Sequence, residues 1–433
     1  MPYLPIILTN FPVQKGVPMA LKIVYKVCCG IDVHKTFAVA CIASTNKQGV
    51  TTYNSHRFST YTKGLKELLQ WLLESNCKDV CMESTGKYWI PVYNVLEKDC
   101  SIVLAHPKYV KAIRGKKTDK KDAKWIADLF KHDLVAGSFM PPADIRQLRD
   151  LMRYRYKLTC FMSSEKNRLQ NCLTVSNIQL ANVVSDTFGK SSMKILDRIL
   201  ENPLDTSFDI ESLIHSSMKD KIPELELAID GYITPQQAGK LKIIKKHFKD
   251  LESRKTELEK LILALAAPYQ QELDLILTAP AFNNVFSVIT VISEIGVSME
   301  SFPSAKHLCS WAGLAPTNNE SAGKKKSVRV SKAGCYIKPL LVQCANSVVK
   351  SEKHPEIRNR YLRLRKRRGH KKAIIAIARM LLTALYNMLK KNEPYNAELY
   401  RNSDVIPANR EITVEQAIKL AKLQGYRIKS ATK

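Results

Sequence analysis

The chain has 433 residues, with 68 Lys and Arg against 40 Asp and Glu, and a formal net charge of +28. This length exceeds what one hydrophobic core supports, so two or three domains are expected, and a hydrophobic content of 45% excludes a disordered chain. The excess of positive charge predicts a polyanionic partner such as nucleic acid, although a solvated basic surface without a partner is the simpler alternative.

The cysteines and the apolar runs indicate which cell compartment and which class of protein to expect. The eleven cysteines are scattered, with no Cys-x-x-Cys pair and no histidine pair at ligand spacing. This pattern does not predict a zinc site and favours a reducing, cytoplasmic compartment. No apolar run reaches the roughly 18 residues of a membrane helix, so we expect no membrane partner. Prolines interrupt residues 1–21, which are predicted to be a flexible leader.

Residues 22–141 alternate between strand and helix patterns. Two β-rich runs in 22–46 surround a turn at Asp32–Lys35, and "TTYNSHRFST" predicts a third strand. A helix at 63–75, a strand at 78–85, a helix interrupted by Pro91, a strand "SIVLAH" and a last helix from "KKTDKKDA" onward follow. The order β-β-β-α-β-α-β-α predicts an α/β domain with a mixed sheet.

The rest of the chain reads as mainly helical. In residues 142–271, "DIRQLRDLMRYRYKLTCFMSSEKNRLQNCL" and "LKIIKKHFKDLESRKTELEKLILALAAPY" predict an extended helix pair. Their spacing suggests antiparallel or intermolecular coiled-coil packing, and simple helical packing is equally compatible. Residues 272–395 predict a further, mainly α-helical domain, and 396–433 a polar tail with one short helix.

Four carboxylates occupy positions that suggest a shared site. Asp32 lies at the end of the first β run, Glu83 ends the strand "VCMEST", and Asp119 and Asp122 begin a helix on one face. Neighbouring strand ends would bring the first two together, and a helix packed on the sheet would bring the others. Four converging acids need cations, and carboxylate oxygens suit Mg²⁺ or Mn²⁺. Taken singly, each acid has a simpler explanation; Asp119, for example, is favoured at any helix N-terminus.

Positive charge is concentrated in two stretches, 108–124 and 322–372, and the second holds 17 Lys and Arg against two Glu. Residues 357–382 predict a helix that begins basic, with Tyr361 interleaved, and ends apolar; the alternative is the charged half of a packed helix. The residues predicted to contact nucleic acid are Arg114, Lys116, Lys117, Lys120, Lys121, Lys324, Lys325, Lys326, Arg329, Lys332, Arg363, Arg365, Arg367 and Arg368.

Three sequence blocks, "GIDVHK", "ESTG" and "KKTDKKDA", resemble the signatures of the DEDD transposases of bacterial and archaeal insertion sequences, the bridge-RNA-guided serine recombinases. Residues 301–345 resemble the C-terminal transposase domain of that family. The resemblance implies a RuvC-like domain of the RNase H fold at 22–141, a helical coiled-coil region at 142–271 and a transposase domain with a catalytic serine at 272–395. It also implies a prokaryotic, nucleoid-associated protein.

The same resemblance implies roles for individual residues and partners. Asp32, Glu83, Asp119 and Asp122 would be the catalytic, metal-binding acids, and Ser321 the serine whose oxygen attacks DNA to form a covalent phosphoserine. The implied partners are donor and target DNA, a structured guide RNA, and other copies of the chain in a dimer or tetramer. Without the resemblance, Ser321 is a serine in a flexible basic loop that also contains Ser327 and Ser331.

Two other functions stay open from the sequence. One is a RuvC-like, metal-dependent junction nuclease that hydrolyses with water and needs no serine. The other is a basic nucleic-acid-binding protein without catalysis. The form of the cleaved DNA end distinguishes the nuclease from the recombinase, and metal-dependent cleavage distinguishes both from the binding protein.

Overall fold

The computed structural model describes residues 21–84, 86–110, 118–203, 208–316, 319–321, 324–327, 329–398, 415, 417 and 418. At 108–109, 319–321 and 324–327 the description concerns the backbone. Leader residues 1–20 and most of the predicted polar tail lie outside the described residues.

The N-terminal part of the chain forms a five-stranded mixed sheet. Its strands are β1 (Val27–Val33), β2 (Phe37–Thr45), β3 (Thr51–Ser59), β4 (Asp79–Glu83) and β5 (Ser101–Ala105). They are arranged in the order β3-β2-β1-β4-β5, with β1 antiparallel to β2 and parallel to β4. This order and these directions are those of the RNase H fold, so the predicted RuvC-like domain is confirmed.

Helices cover both faces of this sheet. They are α1 (Thr62–Glu74), α2 (Trp89–Leu96), α3 (Pro107–Val110) and α4 (Asp119–Lys131). Side chains alternate across a strand, so Ile31 and Met82 pack with α1 and α2, whereas Cys28 and Cys81 pack with α4. The prediction that Pro91 interrupts its helix is wrong, because Pro91 lies in the first turn of α2, where a missing N–H breaks no helical hydrogen bond.

Two long helices, α5 (Ala143–Val175) and α9 (Pro235–Ala266), confirm the predicted extended helix pair. They are antiparallel, because Arg155 pairs with Glu259 near one end and Cys172 contacts Gln237 near the other. At the far end, the pair forms a core with three shorter helices, α6 (Leu180–Val183), α7 (Lys190–Glu201) and α8 (Ile222–Ile229). Packing between copies of the chain stays a prediction.

The other end of the helix pair, where α5 begins and α9 ends, packs into a C-terminal helical core. Its other helices are α10 (Gln270–Leu277), α11 (Val285–Ile295), α12 (Ala305–Trp311), α13 (Ile337–Val348), α14 (Pro355–Arg368) and α15 (His370–Lys391). The helix predicted at 357–382 is two helices, because Gly369 has a φ of +78° and ends α14. The segment between α12 and α13 forms two short antiparallel strands, β6 (Asn319–Ser321) and β7 (Lys324–Ser327), where the sequence predicted a flexible loop.

Among the described residues, α15 is the helix whose length and composition would allow it to cross a membrane. However, 61% of the most apolar 18-residue stretch of this helix is buried inside the protein, and buried core helices have the same length and composition. The expected absence of a membrane partner stays a prediction.

Candidate active site

Two neighbouring parallel strands, β1 and β4, carry two of the predicted acids near their carboxyl ends. Strands β1 and β4 are parallel, with Gly30 opposite Cys81 and Ile31 opposite Met82. Asp32 and Glu83 are the next residues along these two strands. The face of the sheet that packs on α4 is formed by every second residue of each strand. Asp32 and Glu83 both fall in this alternate set, so both belong to that face.

Helix α4 lies unusually close to the sheet because β1 has a glycine at the crossing point. A Cβ on Gly30 would lie 2.3 Å from the backbone nitrogen of Ala127 and 2.4 Å from the carbonyl oxygen of Ala123. Any larger residue would therefore push the helix backbone away from the strand. Asp119 lies four residues, about one helical turn, before Ala123, so the two residues are on the same face of α4. This places Asp119 on the side of the helix that faces β1, toward the end of the strand.

The first turn of α4 is built to carry acids. Thr118 has extended backbone angles, and its hydroxyl accepts a hydrogen bond from the backbone N–H of Lys121 at 3.4 Å, as an N-cap does. Asp119 and Asp122 both lie in this turn, where the partial positive charge of the helix N-terminus favours carboxylates. The predicted helix start is therefore confirmed.

Three side chains converge at the carboxyl end of β1. The Nε2 atom of His34 lies 3.1 Å from Oδ2 of Asp32 and 3.6 Å from Oδ1 of Asp119. One possible ligand atom from each of the three residues lies within 4.8 Å of the other two. Asp32 is buried, whereas the side chain of Asp119 is half exposed, so the cluster is open on the side of α4.

Sequence reasoning missed His34, although it lies inside the quoted block "GIDVHK". The available signal was its position two residues after a strand-end acid, in the turn between β1 and β2. A lone histidine in a turn has no diagnostic spacing, so the pattern alone did not identify it.

The electrostatics of the cluster favour a bound cation. Burial raises the pKa of Asp32; His34 opposes this shift, and the negative charges of Asp122 and Asp119 add to it. An ionised Asp32 is therefore poorly compensated by the protein alone. Carboxylate oxygens beside an imidazole nitrogen are a donor set that fits a divalent metal ion.

The predicted basic residues are only partly described. Lys120 and Lys121 are exposed on the first turn of α4, beside the acids. Arg329 and Lys332 are exposed after the hairpin. The side chains of Arg114, Lys116, Lys117, Lys324, Lys325 and Lys326 lie outside the described residues.

Helix α14 separates its charged and buried residues. Arg363, Arg365, Arg367 and Arg368 are exposed, as predicted for a basic surface. The interleaved Tyr361 is not part of that surface: it is buried, and its hydroxyl lies 2.8 Å from Nδ1 of His370. It packs with the C-terminal core, because its position matches the inward face of the helix.

Ser321 ends strand β6, and its backbone pairs with that of Lys324 in β7. Residues 322 and 323 lie outside the described residues, as does the side chain of Ser321. The predicted role of this serine therefore stays a prediction.

Comparisons with known proteins agree along both ends of the chain. A family model described as a transposase, of the DEDD type of IS110 elements, matches residues 29–178, and a model described as the transposase IS116/IS110/IS902 family matches residues 274–362. The first match contains all four predicted acids, and the second contains Ser321 and most of α14.

Individual relatives match a smaller share of the chain. The pilin gene-inverting proteins of Moraxella bovis and Moraxella lacunata are each 30% identical over 141 residues, which cover 29% of this chain and 43% of the relative. The match thus spans less than half the length of either relative. The structure of Thermus thermophilus RuvC matches at 13% identity and a TM-score of 0.21, over 26% of this chain and 99% of RuvC. On the evidence of the two family models, which together span more than half of its residues, this chain belongs to the IS110 family of transposases.

Proposed function

We propose that the protein cleaves and rejoins DNA strands, and that Asp32, Glu83, Asp119 and Asp122 hold the divalent metal ion that this chemistry requires. The observation that carries the proposal is the arrangement of the acids: adjacent strand ends supply two of them, and the first turn of α4 supplies the others. Membership of a transposase family supports DNA as the substrate.

The donor set favours Mg²⁺ or Mn²⁺, because carboxylates are the ligands these ions prefer. When bound, such an ion polarises a phosphodiester and stabilises the negative charge that develops during phosphoryl transfer. The protein supplies the surrounding charge: Lys120 and Lys121 are exposed beside the acids and attract the DNA backbone to a site that would otherwise repel it.

The nucleophile of the proposed reaction is the hydroxyl of Ser321. Its oxygen bonds to phosphorus, the bond from phosphorus to one deoxyribose oxygen breaks, and the serine proton passes to that leaving oxygen. The phosphoserine link keeps the phosphoester, so the reverse attack by a deoxyribose hydroxyl can rejoin strands without ATP. This role rests on the resemblance of "PTNNESAGKKK" to the family's serine block and on its basic hairpin setting.

The partners of the proposed reaction are donor DNA, target DNA, a structured guide RNA and further copies of the chain. The exposed arginines of α14 suit contacts to phosphates, which position nucleic acid without reading its sequence. Base pairing by the guide RNA would then select the target. A dimer or tetramer would allow acids of one copy to act with the serine of another.

A supercoiled plasmid that carries the element's own ends tests the proposal, with the RNA that co-purifies with the full chain retained. In Mg²⁺, we expect the wild type to produce nicked DNA with covalently attached protein. Ser321→Ala should abolish the adduct but keep DNA binding, and Ser327→Ala should behave as wild type. Asp32→Asn should abolish cleavage.

The same assay separates the alternatives. If Ser321→Ala still cleaves and leaves free 5′-phosphates, the protein is a hydrolytic junction nuclease that uses the same acids with water. If the wild type binds DNA but gives no metal-dependent product, the enzymatic proposal is wrong and a basic binding protein remains.

A further inference from the structure

The cluster formed by Asp32, His34 and Asp119 contains an imidazole nitrogen, and the four carboxylates proposed above as metal ligands do not account for it. We propose that Nε2 of His34 is an additional ligand of the metal ion, and that it makes the site prefer Mn²⁺ over Mg²⁺ more strongly than carboxylates alone would. This inference rests on the proposed function, because it concerns the same metal site.

The turn between β1 and β2 fixes the backbone of His34. Its N–H donates to the carbonyl oxygen of Phe37 at 2.9 Å and closes the turn. Because His34 directly follows the last residue of β1, its backbone position is tied to the same strand end as Asp32.

The imidazole ring of His34 packs against an aromatic side chain. It lies against Phe37, with 4.5 Å between ring centroids, and the guanidinium of Arg57 packs over the same phenyl ring at 3.7 Å. The contact with Phe37 restricts the rotamers available to His34, whose Nε2 lies near the carboxylates of Asp32 and Asp119. A ligand held in this way loses little conformational freedom when it binds a metal.

The distances suit ligands of one ion. Two ligands that each lie about 2.1 Å from the same ion are separated by roughly 3 to 4.2 Å. Nε2 of His34 lies 3.1 Å from the nearer oxygen of Asp32 and 3.6 Å from that of Asp119, so both separations fall inside this range. With its proton on Nδ1, the neutral ring presents a lone pair at Nε2.

Ligand chemistry gives the expected preference. Carboxylate and water suit Mg²⁺ and Mn²⁺ alike, whereas imidazole is a common ligand of transition metals and a poor one for Mg²⁺. The competing explanation is that His34 is only a counter-ion of Asp32 in the metal-free protein and moves away when metal binds. The two explanations differ in whether nitrogen is bonded to the metal.

Pulsed EPR on the full chain loaded with Mn²⁺ alone tests this directly. We expect a ¹⁴N coupling typical of imidazole that changes to a ¹⁵N coupling when the histidines are labelled with ¹⁵N, and that is lost in His34→Gln. By titration calorimetry, His34→Gln should weaken Mn²⁺ binding on the order of tenfold and Mg²⁺ binding by less than about threefold.

His56→Gln is the matched control. His56 belongs to the same domain and is exposed, whereas His34 is half-buried, and His56 packs against Trp71 of α1, with 5.1 Å between ring centroids. This variant should keep the nitrogen coupling and both affinities. A wild-type protein without the coupling, a coupling that persists in His34→Gln, or equal losses of Mn²⁺ and Mg²⁺ affinity would each overturn the inference.

These failures are distinguishable from failure of the proposed function. If metal binds and drives plasmid cleavage but gives no histidine coupling, only the role of His34 is wrong. If the wild type binds neither ion and cleaves nothing, the metal site itself is wrong, and the inference is overturned with it.

Discussion

The acid site of the N-terminal sheet and the basic face of α14 position charged groups in opposite ways. Around the acids, strand register, a glycine crossing and a capped helix start determine where each carboxylate lies. On α14, only Ile357 and Tyr361 are buried, and the arginines extend from the outer face of the helix.

This difference matches the ligand proposed for each region. A metal ion of small radius tolerates errors of only a few tenths of an ångström in its ligands, so its donors need rigid support. A phosphate backbone is a repeated and screened charge, so mobile side chains on a stable helix are sufficient. Substitutions should therefore act through the geometry of the first region and through the net charge of the second.

The largest effect is expected from Gly30→Ala, because the new Cβ would overlap the backbone of α4 at Ala123 and Ala127. We expect a loss of about 3 kcal/mol of unfolding free energy and loss of Mn²⁺ binding, measured by denaturant unfolding and calorimetry. Gly239→Ala in α9 is the control: nothing lies within 4 Å of its new Cβ, and the helix should gain about 0.5–1 kcal/mol. Equal stability of Gly30→Ala and wild type would contradict the close crossing.

Glu294→Ala should have the next largest effect, where α11 packs on α5. The carboxylate of Glu294 is buried and accepts hydrogen bonds from Nε and Nη2 of Arg153, at 2.8 and 2.9 Å. Its removal leaves a largely buried guanidinium unpaired, at a cost of about 3 kcal/mol in denaturant unfolding. Glu211→Ala removes an exposed ion pair with Lys219 and should leave the unfolding free energy unchanged within the error of the measurement. Similar results for the two variants would show that α5 is not held by this pair.

A double substitution on α14, Arg365→Ala with Arg368→Ala, should leave the unfolding temperature unchanged and weaken DNA binding. If each arginine neutralises one phosphate, the slope of log affinity against log salt concentration should fall by about two. Binding measured at several salt concentrations provides the test, with Tyr361→Phe as a control that retains all the arginines. An unchanged slope would show that this face does not contact DNA.

The smallest effect concerns the stability of the metal-free protein. Because burial and neighbouring acids raise the pKa of Asp32, its ionised form is disfavoured in the fold, and Asp32→Asn should remove that cost. In EDTA, we expect the unfolding temperature to rise by about 2 °C, which corresponds to less than about 1 kcal/mol. Added Mn²⁺ should stabilise the wild type but not the variant. A lower temperature for the variant in EDTA would show that the His34 contact outweighs the cost of burial.

Much of the acid site could be predicted from the sequence, because its parts follow local rules. Apolar periodicity predicted a strand that carries Glu83 and a helix that begins with Asp119 and Asp122, and β4 and α4 confirm both. The C-terminal region was harder: β6 (Asn-Glu-Ser) and β7 (Lys-Lys-Lys-Ser) are short and contain no apolar residue, so no alternation of apolar residues predicted them. Tyr361 was wrongly assigned to the basic surface, because it is the one aromatic residue in a stretch of arginines and lysines and its burial is not evident from that composition.

The sequence by itself determined the order of strands and helices in residues 22–141, the positive charge of α14 and the positions of four candidate ligand acids. These depend on short-range periodicity and composition, which a single chain displays directly. Only the tertiary structure decided that His34 joins Asp32 and Asp119, and that α4 approaches the sheet through Gly30. The contacts of His34 with Asp119 and of Gly30 with α4 join residues that are far apart along the chain, and their distances depend on backbone packing that no local pattern encodes.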